Sequence, residues 1–412
     1  MAAAGSLGAV LLVLVVLLAL GTRIDLAVYR LGGSAFLHDL PLYDQVMPGT
    51  GLPFTYPPFA AVLFGPLAVL PKTAAQVVWG VILLACLAEL TRQVLTAARL
   101  DGLMARPLPL MAIAMGVLLM EPVRSNLAYG QINIPLTLLI VLDLRRRIGL
   151  LPHGGLIGIA GAVKLTPLIF IPYLLCTGRR RDAGVAAAAF AACSTGAALV
   201  APSDSTRFWT RLALDPTHVG GIPYAGNQSI AGVLTRLAGH AVHDTIWYRM
   251  VVLSIAIAGL GVAVAAGRRN EPLLGWSACG ITGLLVSPIS WTHHWLWTLP
   301  ALAALVGPQR PRGGRLAALG GFTLLVLSPL WWLPNEDDRE YQWHGWQLVI
   351  GNSYVIAAVV FLLMVGVHVL HPRAPAGLHG SQTAAGRTAG RTERTALAHP
   401  APSVPSSTTT LS

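Results

Sequence analysis

Apolar stretches with almost no charge recur along this chain from about position 6 to position 370, separated by short segments that hold most of the charges, prolines and glycines. A soluble core cannot bury so many of them. A bilayer can, because its hydrocarbon is crossed by helices of roughly 17–25 mostly apolar residues whose backbone groups are satisfied within the helix. Of the 412 residues, 54% are hydrophobic and 11% are charged, against about 25% charged in a soluble domain. That excludes a soluble enzyme, a disordered chain and a disulfide scaffold. The expected fold class is an all-α polytopic membrane protein.

Spans are expected at about 6–22, 75–95, 107–121, 131–144, 153–162, 165–177, 183–202, 249–267, 272–288, 293–307, 316–333 and 348–370, twelve in all. Pro167 and Pro172 interrupt the stretch 153–177, which reads either as two half-helices or as one broken helix. The run 57–71, PPFAAVLFGPLAVLP, is short and bounded by prolines, and reads as a re-entrant or interfacial helix in the first outer loop. No basic residue precedes the run Gly8–Leu20, so it reads as a retained first span and not as a cleaved signal.

Charge sets the orientation. With the N-terminus inside, the inside loops and tail hold 18 of the 28 Lys and Arg residues, including Arg145–Arg147 and Arg179–Arg181. Most acids fall on the other side. The positive-inside rule therefore places both termini in the cytoplasm of a multi-pass cell-membrane protein. The net charge of +11 is scattered in this way and is a topology signal, with no nucleic-acid partner implied. Cys86, Cys176, Cys193 and Cys279 lack ligand spacing, so neither a disulfide nor a zinc site is expected. Residues 1–371 are expected to form the membrane domain. Residues 372–412, rich in Ala, Gly, Ser, Thr and Pro, are expected to be a disordered cytoplasmic tail.

Two long outer loops, about 22–76 and 203–248, hold most of the chemistry-bearing residues. Asp25 lies just past the first span, either as a site carboxylate or as a helix-end charge paired with Arg23 or Arg30. In LPFTYPPFAA, Tyr56 beside Pro57 and Pro58 caps a cavity or anchors at the headgroups. The segment EPVRSNLAYGQIN brings Arg124, Gln131 and Asn133 to the outer end of two spans. It reads equally as a phosphate or sugar site and as helix capping with a Glu121–Arg124 pair. Lys164, inside an apolar run, either snorkels or meets an anion beside a helix break. In YAGNQSIAGVL, Asn227 and Gln228 reach sugar hydroxyls, or Asn227 or Ser229 starts a short helix. His293 and His294 stand among Trp291, Trp295 and Trp297 at the outer mouth of a span, suited to phosphate. A metal there is disfavoured, because neighbours on a helix point about 100° apart. All of these except Lys164 fall on the non-cytoplasmic face, which suggests one cavity at the outer membrane boundary.

The motifs DLAVYRLGG, PLYD, LPFTYPPFAA, YGQIN, VKLTP, GNQSIAG and SPISWTHHW, spread over roughly 22–300, together resemble the family-87 glycosyltransferases of actinobacteria. Those are membrane enzymes of the GT-C class, among them polyprenyl-phosphate-mannose-dependent α-1,2-mannosyltransferases that build phosphatidylinositol mannosides, lipomannan and lipoarabinomannan. The resemblance implies a GT-C-type bundle. It also implies a catalytic carboxylate in the first outer loop, the position of Asp25, and a lipid-phosphate donor, which suits His293, His294, Lys164 and Arg124.

The expected reaction follows. Asp25 takes the proton from an acceptor hydroxyl, which displaces the lipid phosphate from the anomeric carbon with inversion, giving an α-1,2 linkage on the periplasmic side. Tyr56, Gln131, Asn133, Asn227 and Gln228 are the candidates for shaping the sugar site. The partners are a polyprenyl-phosphate-mannose donor, a mannosylated glycolipid acceptor and membrane lipids, with no cofactor or metal. Two alternatives remain: transfer of another polyprenyl-phosphate-linked sugar such as arabinofuranose, and a lipid or sugar transporter without chemistry.

Overall fold

The computed structural model describes residues 23–146, 149, 151–308 and 310–371. The expected first span at 6–22 and the expected tail at 372–412 lie outside the described residues. Among the described residues the regular structure is helical, with two isolated bridges, Val46–Pro53 and Asn227–Trp291. The α-helices in chain order are α1 Ile24–Leu37, α2 Pro58–Val69, α3 Lys72–Ala97, α4 Asp101–Met104, α5 Pro107–Leu119 and α6 Glu121–Tyr129. Then come α7 Asn133–Leu144, α8 Gly155–Val163, α9 Phe170–Cys176, α10 Arg180–Val200, α11 Pro202–Arg207 and α12 Ile230–Ala238. The last six are α13 Ile246–Arg268, α14 Pro272–Val286, α15 Thr298–Val306, α16 Arg312–Leu327, α17 Trp346–Gly351 and α18 Ser353–Leu370.

Every expected span from 75 onward meets a helix. Among the described residues, five helical segments are long and apolar enough to cross a bilayer alone: α3, α10, α13, Arg312–Trp332 and α18. A sixth counts if α5 and α6, bent by 70° at Met120, form one broken span. The other apolar segments are short. The 12 residues of α7 extend about 18 Å, against a hydrocarbon core of about 30 Å. By length these segments are too short to cross the hydrocarbon alone, as the sequence also indicates for several of the twelve expected spans. The expected re-entrant run at 57–71 is the 12-residue helix α2, started by Pro57 and Pro58 at the positions where proline costs no hydrogen bond.

Burial follows helix periodicity. On α3, Leu83, Leu87, Leu90 and Val94 form one stripe at i, i+4, i+7 and i+11 and are almost wholly buried. Helices α1 and α2 pack closely because Gly33 leaves room for the Phe64 carbonyl.

The bundle has two distinct ends. One gathers the basic loops. There Arg146 and Arg179 pair with Asp182 at 3.0 and 2.7 Å. Arg268 donates to the Cys176 carbonyl, and Arg310 pairs with Glu271. The other end gathers α1, the turn after α6, the break after α8 and the segment after α14.

Candidate active site

A cavity of about 500 Å³ opens at that second end, lined by Asp25, Tyr56, Gln131, Lys164, Trp291, His293 and His294 together with parts of the two long loop segments 22–76 and 203–248. Each of these side chains sits at a discontinuity in a helix. Asp25 lies in the first turn of α1. The start of α1 is fixed because the Arg23 backbone N–H donates to the Ala128 carbonyl at 3.0 Å and its guanidinium donates to the Leu127 carbonyl. Gln131 follows Gly130, which ends α6 in the left-handed region at φ 74°. Trp79 holds that turn through the Gly130 carbonyl at 2.6 Å.

Gln131 is aligned from behind. Its Oε1 accepts from the Tyr29 hydroxyl at 2.8 Å and from the Tyr56 hydroxyl at 3.4 Å. Tyr29 is itself stacked on Phe64, ring centroids 4.2 Å apart. The Gln131 side chain lies near enough to Asp25 to favour its ionised form. Asp25 Oδ2 is buried without a hydrogen-bond partner. Burial pushes the Asp25 carboxyl up from 3.8 to about 7, with the Lys164 charge and the Gln131 side chain pulling against it.

Lys164 resolves the ambiguous stretch 153–177. Helix α8 stops at Lys164, which is extended, and a 3₁₀ turn at Thr166–Ile169 starts the next half. The chain is broken there, and Lys164 does not snorkel. Its Nζ donates to Asn133 Oδ1 and to His294 Nε2, both at 2.9 Å, and lies 5.6 Å from the Tyr56 ring centre. Accepting at Nε2 puts the neutral His294 proton on Nδ1. His293 and His294 lie on the 3₁₀ turn Thr292–Trp297, rings 4.7 Å apart and nearly perpendicular. Asn126 and Asn133 both donate to the His293 carbonyl. His293 Nε2 and His294 Nδ1 are buried without partners. The cavity thus brings together a carboxylate, the lysine amine that interacts with it by charge, and two imidazoles.

Three expected site residues lie off this cavity. Arg124 donates to the Val326 carbonyl at 3.3 Å. The expected Glu121–Arg124 pair is replaced, since the Glu121 carboxylate accepts from Ser125, Thr292 and Tyr354 at 2.7, 2.8 and 3.2 Å. Asn227 and Gln228 are completely buried. The Asn227 amide donates to the Ile222 and Pro288 carbonyls and accepts from the Ser290 N–H. The Gln228 amide donates to the Ala225 and Gly351 carbonyls and accepts from the Tyr354 N–H. With the hydrogen-bonding capacity of both amides turned to backbone, they face no ligand. The helix start expected nearby is Ser229, whose hydroxyl caps α12 at the Gly232 N–H. Asn133 lies beside the cavity, but its amide serves Lys164 and His293.

The sequence reading also missed lining residues. Asp215 and His218 line the cavity from the second long loop segment, 203–248. Tyr29 stands behind Gln131. The length of that loop was the only signal for the first two, and for Tyr29 it was its place in the motif DLAVYRLGG, four residues after Asp25. Among the described residues no group of three His, Cys, Asp or Glu side chains is arranged to hold a metal ion.

Residues 54–288 match the sequence profile of glycosyltransferase family 87. The chain is 35% identical to the polyprenol-phosphate-mannose-dependent α-(1-2)-phosphatidylinositol mannoside mannosyltransferase of Mycobacterium tuberculosis, over 84% of this chain and 85% of that one. It is 36% identical to the protein of the same description from Mycolicibacterium smegmatis, over 84% of each chain. It is 35% identical to the corresponding phosphatidylinositol pentamannoside mannosyltransferase of Mycolicibacterium smegmatis, over 82% of this chain and 84% of that one. No solved structure matches the chain.

Proposed function

The chain belongs to glycosyltransferase family 87, and from that premise we propose that it is a multi-pass membrane mannosyltransferase that moves mannose from a polyprenyl-phosphate-mannose donor to a mannosylated phosphatidylinositol acceptor. The acceptor hydroxyl, the 2-OH of a terminal mannose, attacks the anomeric carbon from the face opposite the phosphate. The new C–O bond forms as the bond from carbon to phosphate oxygen breaks. The bonding pair leaves with the lipid phosphate, the hydroxyl proton passes to Asp25, and a β-linked donor becomes an α-1,2-linked product.

A carboxyl poised near 7 is ionised enough at neutral pH to accept that proton and basic enough to help remove it, an effect worth about 10²–10⁴-fold. Lys164 and the free ring nitrogens of His293 and His294 meet the departing phosphate, where fixed donors in a water-poor site stabilise developing charge. Tyr56 and Gln131 form the sugar-facing wall. Asn133 positions Lys164 and His293, and Asn227, Gln228 and Arg124 carry no substrate contact. The charge distribution favours the non-cytoplasmic side for this cavity, with both termini in the cytoplasm.

The observation that carries this reading is the Asp25 carboxylate, with one oxygen unpartnered, on a cavity that Lys164 and two imidazoles also line. The test is transfer from synthetic polyprenyl-phosphate-mannose to a mannosylated phosphatidylinositol by purified protein in proteoliposomes, with folded Asp25→Asn beside it. Transfer by wild type alone is expected. Equal transfer by both removes Asp25 as the base. No transfer by either, across several acceptors and donor sugars, overturns the enzyme reading.

A further inference from the structure

Trp291 lines the cavity beside His293 and meets the ring of Tyr224, centroids 5.8 Å apart. Tyr224 meets Trp331 at 5.9 Å. The three rings form a continuous aromatic surface starting at the cavity wall, with Tyr224 40% exposed and the two tryptophans half-buried. Gly226 lies against them. A Cβ there would stand 2.9 Å from the Tyr224 ring and 3.1 Å from the Trp331 ring, so a larger residue would displace both.

The backbone that carries Tyr224 is held by buried polar groups on every side. Arg236, 1% exposed, donates to the carbonyls of Pro223, Tyr224 and Asn227 at 3.0, 3.1 and 3.0 Å. Glu340 accepts from the Ala225 N–H at 2.8 Å, and Gln228 donates to the Ala225 carbonyl at 2.9 Å. A side chain that only anchors at a membrane interface gains nothing from such fixing. Trp332 and Trp346, 66% and 64% exposed, are of the anchoring kind. A ring face fixed before binding is instead what an aromatic recognition surface needs, because it offers large contact area without losing side-chain freedom on binding.

We propose that Tyr224, with Trp291 and Trp331, is the acceptor platform, on which a hexose ring of the acceptor glycan stacks while the neighbouring terminal sugar reaches Asp25. This rests on the transferase reading above. The donor is held by its phosphate at the Lys164 wall, so the platform discriminates among acceptors only. It also gives Asn227 and Gln228 a purpose in a motif where they touch no ligand.

The test measures initial rates in proteoliposomes with wild type, Tyr224→Ala, Tyr224→Phe, Trp331→Ala and, as an anchoring control, Trp346→Ala. The acceptor is varied at saturating donor, then the donor at saturating acceptor. Tyr224→Ala and Trp331→Ala are expected to raise the acceptor KM about three- to tenfold each. The donor KM stays unchanged, Tyr224→Phe stays near wild type, and Trp346→Ala does not change the acceptor KM. An unchanged acceptor KM in active Tyr224→Ala overturns the platform, as does an equal rise in donor and acceptor KM or the same effect in Trp346→Ala. Wild-type protein that transfers to no mannosylated acceptor overturns the transferase reading itself, and that result is read before any variant is made.

Discussion

The raised carboxyl of Asp25 makes a quantitative demand on the pH profile. With its ionisation centred at about 7, roughly one-tenth of Asp25 is ionised at pH 6 and nine-tenths at pH 8. Only the carboxylate accepts a proton, so kcat/KM falls as pH drops through 7, about tenfold by pH 6. Burial also lowers the Lys164 ammonium to about 7, so the rate falls again as pH rises and the profile is a bell without an alkaline plateau. Asp25→Asn lowers kcat/KM about 10²–10⁴-fold and abolishes the acid-side inflection. The same shift has the opposite consequence for stability. A carboxyl that binds its proton more tightly when folded stabilises the fold fully below the unfolded value of 3.8, and that contribution is lost as pH rises to about 7. The loss is about three units at 1.36 kcal/mol each, hence a ceiling of about 4 kcal/mol at pH 8. At pH 5 it is about 2 kcal/mol. The net gain in Asp25→Asn is smaller, because the variant also removes the charge that holds up the buried Lys164 ammonium, itself lowered to about 7. Radiolabel transfer between pH 5.5 and 8.5, with thermal unfolding of both proteins at pH 5 and 8, reads both effects. A flat wild-type profile refutes the base assignment, as does a folded Asn variant within about threefold of wild type. A variant less stable than wild type at pH 8 refutes the burial argument.

Lys164→Met removes a charge-assisted hydrogen bond to the donor phosphate and should raise the donor KM about tenfold or more. Because the Lys164 charge holds the Asp25 carboxyl down, the variant's pH inflection should also move above 7. An inflection that stays put contradicts the placement of the two groups. Ser229→Ala removes the cap of α12 and should cost about 1 kcal/mol of stability with the pH profile unchanged. Thermal unfolding beside the same pH series reads it.

Sequence pattern revealed the helical segments because an apolar run in a membrane protein has few other fates. The break at VKLTP was readable too, because Pro167 cannot continue a helix whose backbone must stay satisfied. Helix α1 was not readable. Arg23, Asp25 and Arg30 look like loop charges, and what makes the segment a helix is its packing on α2 and the attachment of Arg23 to the end of α6. Asn227 and Gln228 show the complementary failure. Side-chain type states what an amide is able to bond, while the surrounding backbone decides what it does bond. The partnership of Lys164 with His294, 130 residues apart, has no trace in local spacing.

The positions of the site follow from the solvent as much as from the reaction. In a bilayer, a break in a helix frees backbone groups that must find partners, so irregular backbone survives only where it is buried in protein or lines a cavity. Here the freed groups are met by side chains next to the chemistry. Trp79 takes the Gly130 carbonyl, the Tyr29 hydroxyl takes the Ile132 N–H, and Asn126 and Asn133 take the His293 carbonyl. The groups that hold Gln131, Lys164 and His293 in place are therefore the same ones that make the breaks tolerable. Loss of activity on mutating Tyr29, Asn126 or Asn133 thus confounds stability with mechanism. Asp25, with one oxygen unpartnered and a carboxyl whose charge is costly to bury, is the position where the two separate: there function should fall as stability rises.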